Sequence, residues 1–119
     1  MAESTKQIDM TYLQDMSGGD TEFIHEILAT FLETSADLVE ALAAAARDDD
    51  TEKAIYAGHT LKGSLRSIGA EPLASLCQDL ELAVRAGDWD TFRTLAKQIP
   101  TGFERLRAEI EALPNDKAA

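Results

Sequence analysis

One imidazole, His59, stands three residues before Lys62, four before Gly63 and seven before Arg66. On a helix those separations place all four on one face. A free imidazole has a pKa near ~6.5 and is mostly neutral at pH 7, so a ring nitrogen keeps a lone pair for attack on an electrophile. Lys62 disfavours the imidazolium and can donate to an incoming phosphoryl oxygen. The chemistry that suits this set is acceptance of a phosphoryl group on nitrogen. Gly63 fits it as well. A glycine inside a helix costs about 1 kcal/mol relative to alanine, and here its missing side chain keeps the approach to His59 open to a bulky partner. An exposed helical site cannot surround a small substrate or exclude water, which points to a macromolecular donor bringing its own catalytic apparatus.

The element that positions these residues is a helix from about Thr51 to Ile68. Ala54, Ala57, Gly58, Leu61, Leu65 and Ile68 recur at i, i+3, i+4 and i+7, the period of one helical face. His59 falls roughly 140° from the centre of that face and is predicted to be exposed. Ile55 and Tyr56, one turn earlier, flank it as candidate docking residues; Ile55 lies roughly 100° from the core centre, at its margin. Gly58 faces inward, where it allows another helix to approach closely. Ser64 and Arg66 are supporting members of the same stretch.

The run His59, Leu61, Lys62, Gly63, Ser64, followed by Gly69 and Ala70, resembles the signature of histidine-containing phosphotransfer (HPt) domains. The likeness extends from about Leu13 to Leu113. It takes in Gly19 and Asp20 before Phe23 and Phe31, and Leu73, Leu76, Cys77, Leu80 and Glu81 before Gly87 and Asp88. Gly58 departs from the family, which more often has alanine there, and so does Leu65, where a small residue is usual. The resemblance implies a phosphocarrier. His59 takes a phosphoryl group from an aspartyl phosphate on a receiver domain and passes it to another receiver. Lys62 stabilises the group in transit. The magnesium ion sits on the receiver, and the chain itself needs no cofactor.

Elsewhere the pattern is helical throughout. A short helix is expected over Ile8 to Met16, ended by Ser17, Gly18 and Gly19, with Asp20 capping a helix from about Thr21 to Arg47. That helix carries a broad apolar stripe including Phe23, Ile24, Leu28, Phe31 and Leu42. His25 lies at its edge between Glu22 and Glu26 and reads as structural. Asp48, Asp49 and Asp50 end it and cap the next helix, and consecutive carboxylates there complement the helix dipole rather than bind metal. Gly69 fits the residue just past the His59 helix, and Pro72 the first turn of a helix over Glu71 to Ala86. Leu82 falls opposite that helix's apolar stripe. After Gly87, Asp88 or Asp90 caps the last helix. Its apolar face runs from Phe92 to Leu113 in one phase across Pro100, Thr101 and Gly102, so a kinked continuous helix is expected. The fold class is all-α: an antiparallel up-and-down four-helix bundle with a short N-terminal capping helix.

At 119 residues the chain is one domain. Its core is expected over about 8–113, with flexible ends at 1–7 and 114–119. A net charge of −11 argues against nucleic acid or an anionic membrane as partner and leaves Lys62 and Arg66 as a local basic spot. The N-terminus lacks the apolar core of a signal peptide and no run reaches a membrane span, so a cytoplasmic monomer is expected. The Met1 start and short tail lean towards a stand-alone protein rather than the excised module of a larger kinase. Cys77, the single cysteine, lies on an apolar stripe as a buried thiol, and no Cys or His pair has zinc spacing. Two other functions compete. An autophosphorylating kinase core is disfavoured by the lack of a glycine-rich loop or nucleotide domain and by Thr60 after His59; labelling by ATP alone would reveal one. A helical adaptor that binds a receiver without chemistry would keep pathway output in a His59→Gln strain.

Overall fold

Four aspartates set where helices begin. The side chain of Asp9 accepts from the Tyr12 backbone N–H at 3.2 Å, Asp20 from Phe23 at 3.1 Å, Asp50 from Lys53 at 3.0 Å and Asp88 from Thr91 at 3.1 Å. Each cap satisfies a backbone donor that the first helical turn leaves open and contributes about 1 kcal/mol. In this computed structural model, which describes residues 8–113, they open α1 (Met10–Ser17), α2 (Thr21–Asp48), α3 (Thr51–Ser67) and α5 (Trp89–Ala96). Between these lies α4 (Glu71–Arg85), with Pro72 in its first turn, and α6 (Gln98–Glu111) follows. The ends expected to be flexible, 1–7 and 114–119, lie outside the described residues.

Two glycines stop helices in the same way. Gly69 takes φ 77° after α3, the Ala70 N–H bonds Leu65 O at 2.9 Å and the Gly69 N–H bonds Arg66 O at 3.2 Å. Gly87 repeats this after α4, with Asp88 N–H on Ala83 O at 2.9 Å and Gly87 N–H on Val84 O at 3.1 Å. This is the Schellman arrangement, in which a left-handed residue turns the chain and satisfies the last carbonyls. Asp88 then caps α5, so α4 and α5 are joined by a turn of three residues.

The last stretch, expected as one kinked continuous helix, is instead two helices that meet at Lys97, not at Pro100 to Gly102. Lys97 keeps helical angles, φ −65° and ψ −23°, between α5 and α6. Pro100 has no N–H to give the carbonyl of Ala96, and its ring crowds that carbonyl, so the ladder opens one turn upstream and Pro100 sits in the first turn of α6. Thr101 and Gly102 continue the helix.

The four long units, α2, α3, α4 and α5 with α6, form the bundle: α3 packs between α2 and α4, α4 against α5, and α2 against α5 and α6. At 1.5 Å per residue the 28 residues of α2 span about 42 Å, which accounts for most of the 50 Å long axis. The first helix caps one end, as expected. Its Asp9 N–H bonds Gly69 O at 3.2 Å, and Tyr12 lies over the α3–α4 turn, where a Cβ on Gly69 would stand 2.9 Å from the Tyr12 ring.

Leu13, Leu28, Leu42, Leu61, Leu80 and Phe92 are among the fully buried side chains at the centre. The broad α2 stripe packs on the core, with Ile27, Leu32, Leu38 and Val39 partly buried at its margins, except at Phe23. Ile24, Leu28, Phe31, Ser35 and Leu42 take the inward line, while Phe23, about 100° round the helix from Ile24, is 45 % exposed. Ser35 is fully buried, and among the described residues its hydroxyl has no hydrogen-bond partner. Gly58 faces inward, with a built Cβ only 3.1 Å from a Leu80 methyl and 3.9 Å from one of Leu42. Cys77 is buried, and desolvation pushes its thiol up to about 12, against a smaller lowering effect of Lys62.

Candidate functional site

Helix α3 presents His59 outward with 65 % of its side chain exposed, while Ala54, Ala57, Gly58, Leu61 and Leu65 of the same helix are buried. The apolar spacing alone forces this: once those positions face α2 and α4, the helical turn leaves His59 on the solvent side. Gly63, one turn on, is exposed, and a Cβ built there meets nothing within 4 Å. The surface above His59 is therefore open on its C-terminal side. Tyr56 is 64 % exposed one turn before His59, whereas Ile55 is half-buried and packs against the core.

Glu81, across the α3–α4 seam, joins the site although the sequence pattern gives it no site role. The residue is 7 % exposed, and its Oε1 lies 3.5 Å from His59 Nδ1, at the long limit of a hydrogen bond, and 3.0 Å from Lys62 Nζ. Its Oε2 receives Nε and Nη2 of Arg85 at 3.0 and 2.9 Å. A carboxylate so nearly buried is stable only when paired, and here two cations and an imidazole share it. Burial pushes its pKa up; the bonds from Lys62 and Arg85, the charge of Lys62 and the His59 contact outweigh this and hold it below the ordinary value of 4.5. The signal in the sequence was a glutamate four residues before an arginine, flanking an apolar stripe, which fixes a pair along one helix but not what the carboxylate meets across the seam.

The local basic spot expected of Lys62 and Arg66 is present, but both cations are paired with groups of α4. Lys62 is only 15 % exposed, and its ammonium is held by Glu81 and by Gln78 Oε1 at 2.9 Å. Arg66 turns the other way, its Nε and Nη2 each 3.3 Å from the carboxylate of Glu71, which Ser75 also contacts at 3.1 Å. The arginine bond, then that of Ser75, lowers the Glu71 pKa. Both cations are neutralised because Gln78, Glu81 and Glu71 of α4 line the seam beside them. Ser64 is half-buried, and its carbonyl accepts from the Ser67 hydroxyl at 2.6 Å. His25 is half-buried on α2, far along the sequence from this cluster. Asp50 serves as the α3 cap and Asp49 as the left-handed end of α2, paired with Arg93. Among the described residues no group of His, Cys, Asp and Glu side chains is placed to hold a metal ion.

An exposed imidazole on a bundle helix, backed by a nearly buried carboxylate and beside a glycine that faces open space, suits a helical phosphotransfer module. The comparisons agree. The family model of the Hpt domain matches residues 26–115, and the chain belongs to that family. It is similar to histidine-containing phosphotransfer protein 2 of Arabidopsis thaliana, 26 % identical over 110 residues that make up 90 % of this chain and 69 % of that protein. The solved structure of histidine-containing phosphotransfer protein B from Pseudomonas aeruginosa superposes with a TM-score of 0.81 at 25 % identity, covering 88 % of this chain and 91 % of that one. The protein is thus a phosphorelay intermediate with the helical bundle of its family. No helix among the described residues is long and apolar enough to cross a membrane.

Proposed function

We propose that His59 is the phosphoryl acceptor. The observation that carries this is the imidazole geometry: Nδ1 faces the carboxylate of Glu81 at 3.5 Å while the rest of the ring is exposed. A carboxylate at that position favours the tautomer with the proton on Nδ1, which leaves the lone pair on Nε2, the outward nitrogen. The Nε2 lone pair attacks phosphorus of a receiver's aspartyl phosphate. An Nε2–P bond forms, the bond from phosphorus to the aspartyl oxygen breaks, and the electron pair leaves with the receiver's carboxylate. Glu81 stabilises the positive charge that the ring gains. Lys62, 3.0 Å from the same carboxylate oxygen, is within reach of a phosphoryl oxygen after a change of side-chain torsion. Gly63 leaves room for the receiver. The reverse step returns the group to a second receiver.

The chain acts here as a carrier without kinase activity of its own, as a monomer in the cytoplasm. The magnesium ion would be held by the receiver, where it would supply charge neutralisation; Tyr56 and the margin of Ile55 touch the docked receiver.

His59→Gln is the test. Incubated with a phosphorylated receiver, the variant is expected to melt as wild type does and to take up no acid-labile phosphate. Label on the variant, at His25 or elsewhere, would overturn the assignment, and labelling of the wild-type chain by ATP alone would overturn the carrier role.

A further inference from the structure

We propose that Leu82 is a docking and specificity residue for receiver domains. With Tyr56 it forms an apolar clamp, one jaw on α4 and the other on α3, that the receiver buries as its aspartyl phosphate reaches His59. The inference rests on the assignment of His59 as acceptor.

Leu82 is 56 % exposed, and its place is fixed by its neighbours. Gln78, one turn before it, reaches Lys62; Glu81, beside it, reaches His59; Arg85, three residues on, reaches Glu81. The outer strip of α4 that carries Leu82 thus borders the part of α3 that carries His59. Large exposed apolar side chains occur at Tyr12, Met16, Phe23, Tyr56 and Leu82. Three belong to α1 and the first turn of α2; of the other two, Tyr56 stands one turn before His59 on α3 and Leu82 next to Glu81 on α4. Transfer requires the receiver to approach His59 within bonding distance, and a domain that does so covers both.

The polar groups around His59 are already bonded to one another. Lys62 is shared by Glu81 and Gln78, and Arg85 is bound to Glu81. Forming new polar contacts there means breaking old ones, so removal of apolar surface from water is the binding energy that remains accessible. Leu82 lies outside the His59 motif and touches none of the reacting atoms. Whatever a receiver places opposite it changes affinity and leaves the chemistry alone, which is how a contact discriminates among related partners.

The experiment measures transfer from a receiver domain selected because it exchanges phosphate with the wild-type chain, at increasing concentrations of chain. Leu82→Ala is expected to raise the half-saturating concentration about tenfold. The saturating rate, the melting temperature and the labelling of His59 by phosphoramidate, a donor too small to touch Leu82, stay within about twofold of wild type or within error of it. Leu82→Met, which restores apolar bulk, recovers most of the loss. An unchanged half-saturating concentration overturns the inference, as does a fall in melting temperature with normal transfer by the remaining folded protein. Failure of the underlying assignment shows separately, as label on His59→Gln from the same receiver.

Discussion

Glu81 is the residue on which the site turns, because a single carboxylate holds His59, Lys62 and Arg85. Hydrogen bonds to charged groups contribute about 1.5–3 kcal/mol each in mutational series. Glu81→Gln keeps an acceptor for one partner but removes the charge, and should lower stability by about 1–3 kcal/mol at neutral pH. The pH dependence has a definite sign. The carboxyl titrates below 4.5 in the fold, so as the medium is acidified the unfolded chain takes up the proton first. Its contribution is complete above the unfolded value and is lost as pH falls through the folded one. Melting curves of wild type and Glu81→Gln should differ most at neutral pH, where the carboxyl is ionised in both states, and converge as the medium is acidified through its lowered folded value. A gap that persists unchanged in acid would mean that Glu81 is not ionised in the fold.

At the scale of helices, two interior glycines face opposite surroundings. Gly63 points to solvent with nothing within 4 Å of a built Cβ, whereas at Gly102 of α6 that atom would lie 2.6 Å from a methyl of Leu73, a buried side chain of α4. Alanine adds about 0.8–1 kcal/mol of helix propensity at either site. Gly63→Ala should therefore raise stability by several tenths of a kcal/mol or more, while at Gly102 the displacement of Leu73 cancels or reverses the gain. Chemical denaturation of the two variants separates these effects: equal gains would mean that α6 does not need its close approach to α4. Gly63 has the further role of keeping His59 accessible, so Gly63→Gln should melt no lower than wild type and transfer slowly. Normal transfer by that variant would remove this role.

For the whole molecule, −11 is a large charge for a chain of 119 residues. The three basic groups near His59, Lys62, Arg66 and Arg85, pair with two carboxylates of α4, so the excess acid is spread over the remaining surface. Self-repulsion of that kind destabilises the compact state and is screened by ions within about 10 Å at 0.1 M salt. Raising sodium chloride from about 10 mM to 200 mM should therefore raise the melting temperature. A fall over that range would show that the internal ion pairs, which salt also weakens, outweigh the repulsion.

The sequence by itself determined the helical stretches, the cap at Asp20, a cap within Asp48 to Asp50 and one at Asp88 or Asp90, the exposure of His59 and the inward turn of Gly58. All of these follow from local period and backbone chemistry, which act within a few residues along the chain. The break at Lys97 was also local, but the sequence pointed to Pro100, because a proline disturbs the carbonyl four residues before it rather than its own position. The tertiary structure decided the partners of the cations. Lys62 and Glu81 are nineteen residues apart, and they meet because α3 and α4 pack side by side with one particular register. No spacing within either helix encodes that register. It is set by how Gly58, Leu61 and Leu65 seat against the apolar face of α4, a packing of side chains between helices, and with it came the carboxylate behind His59.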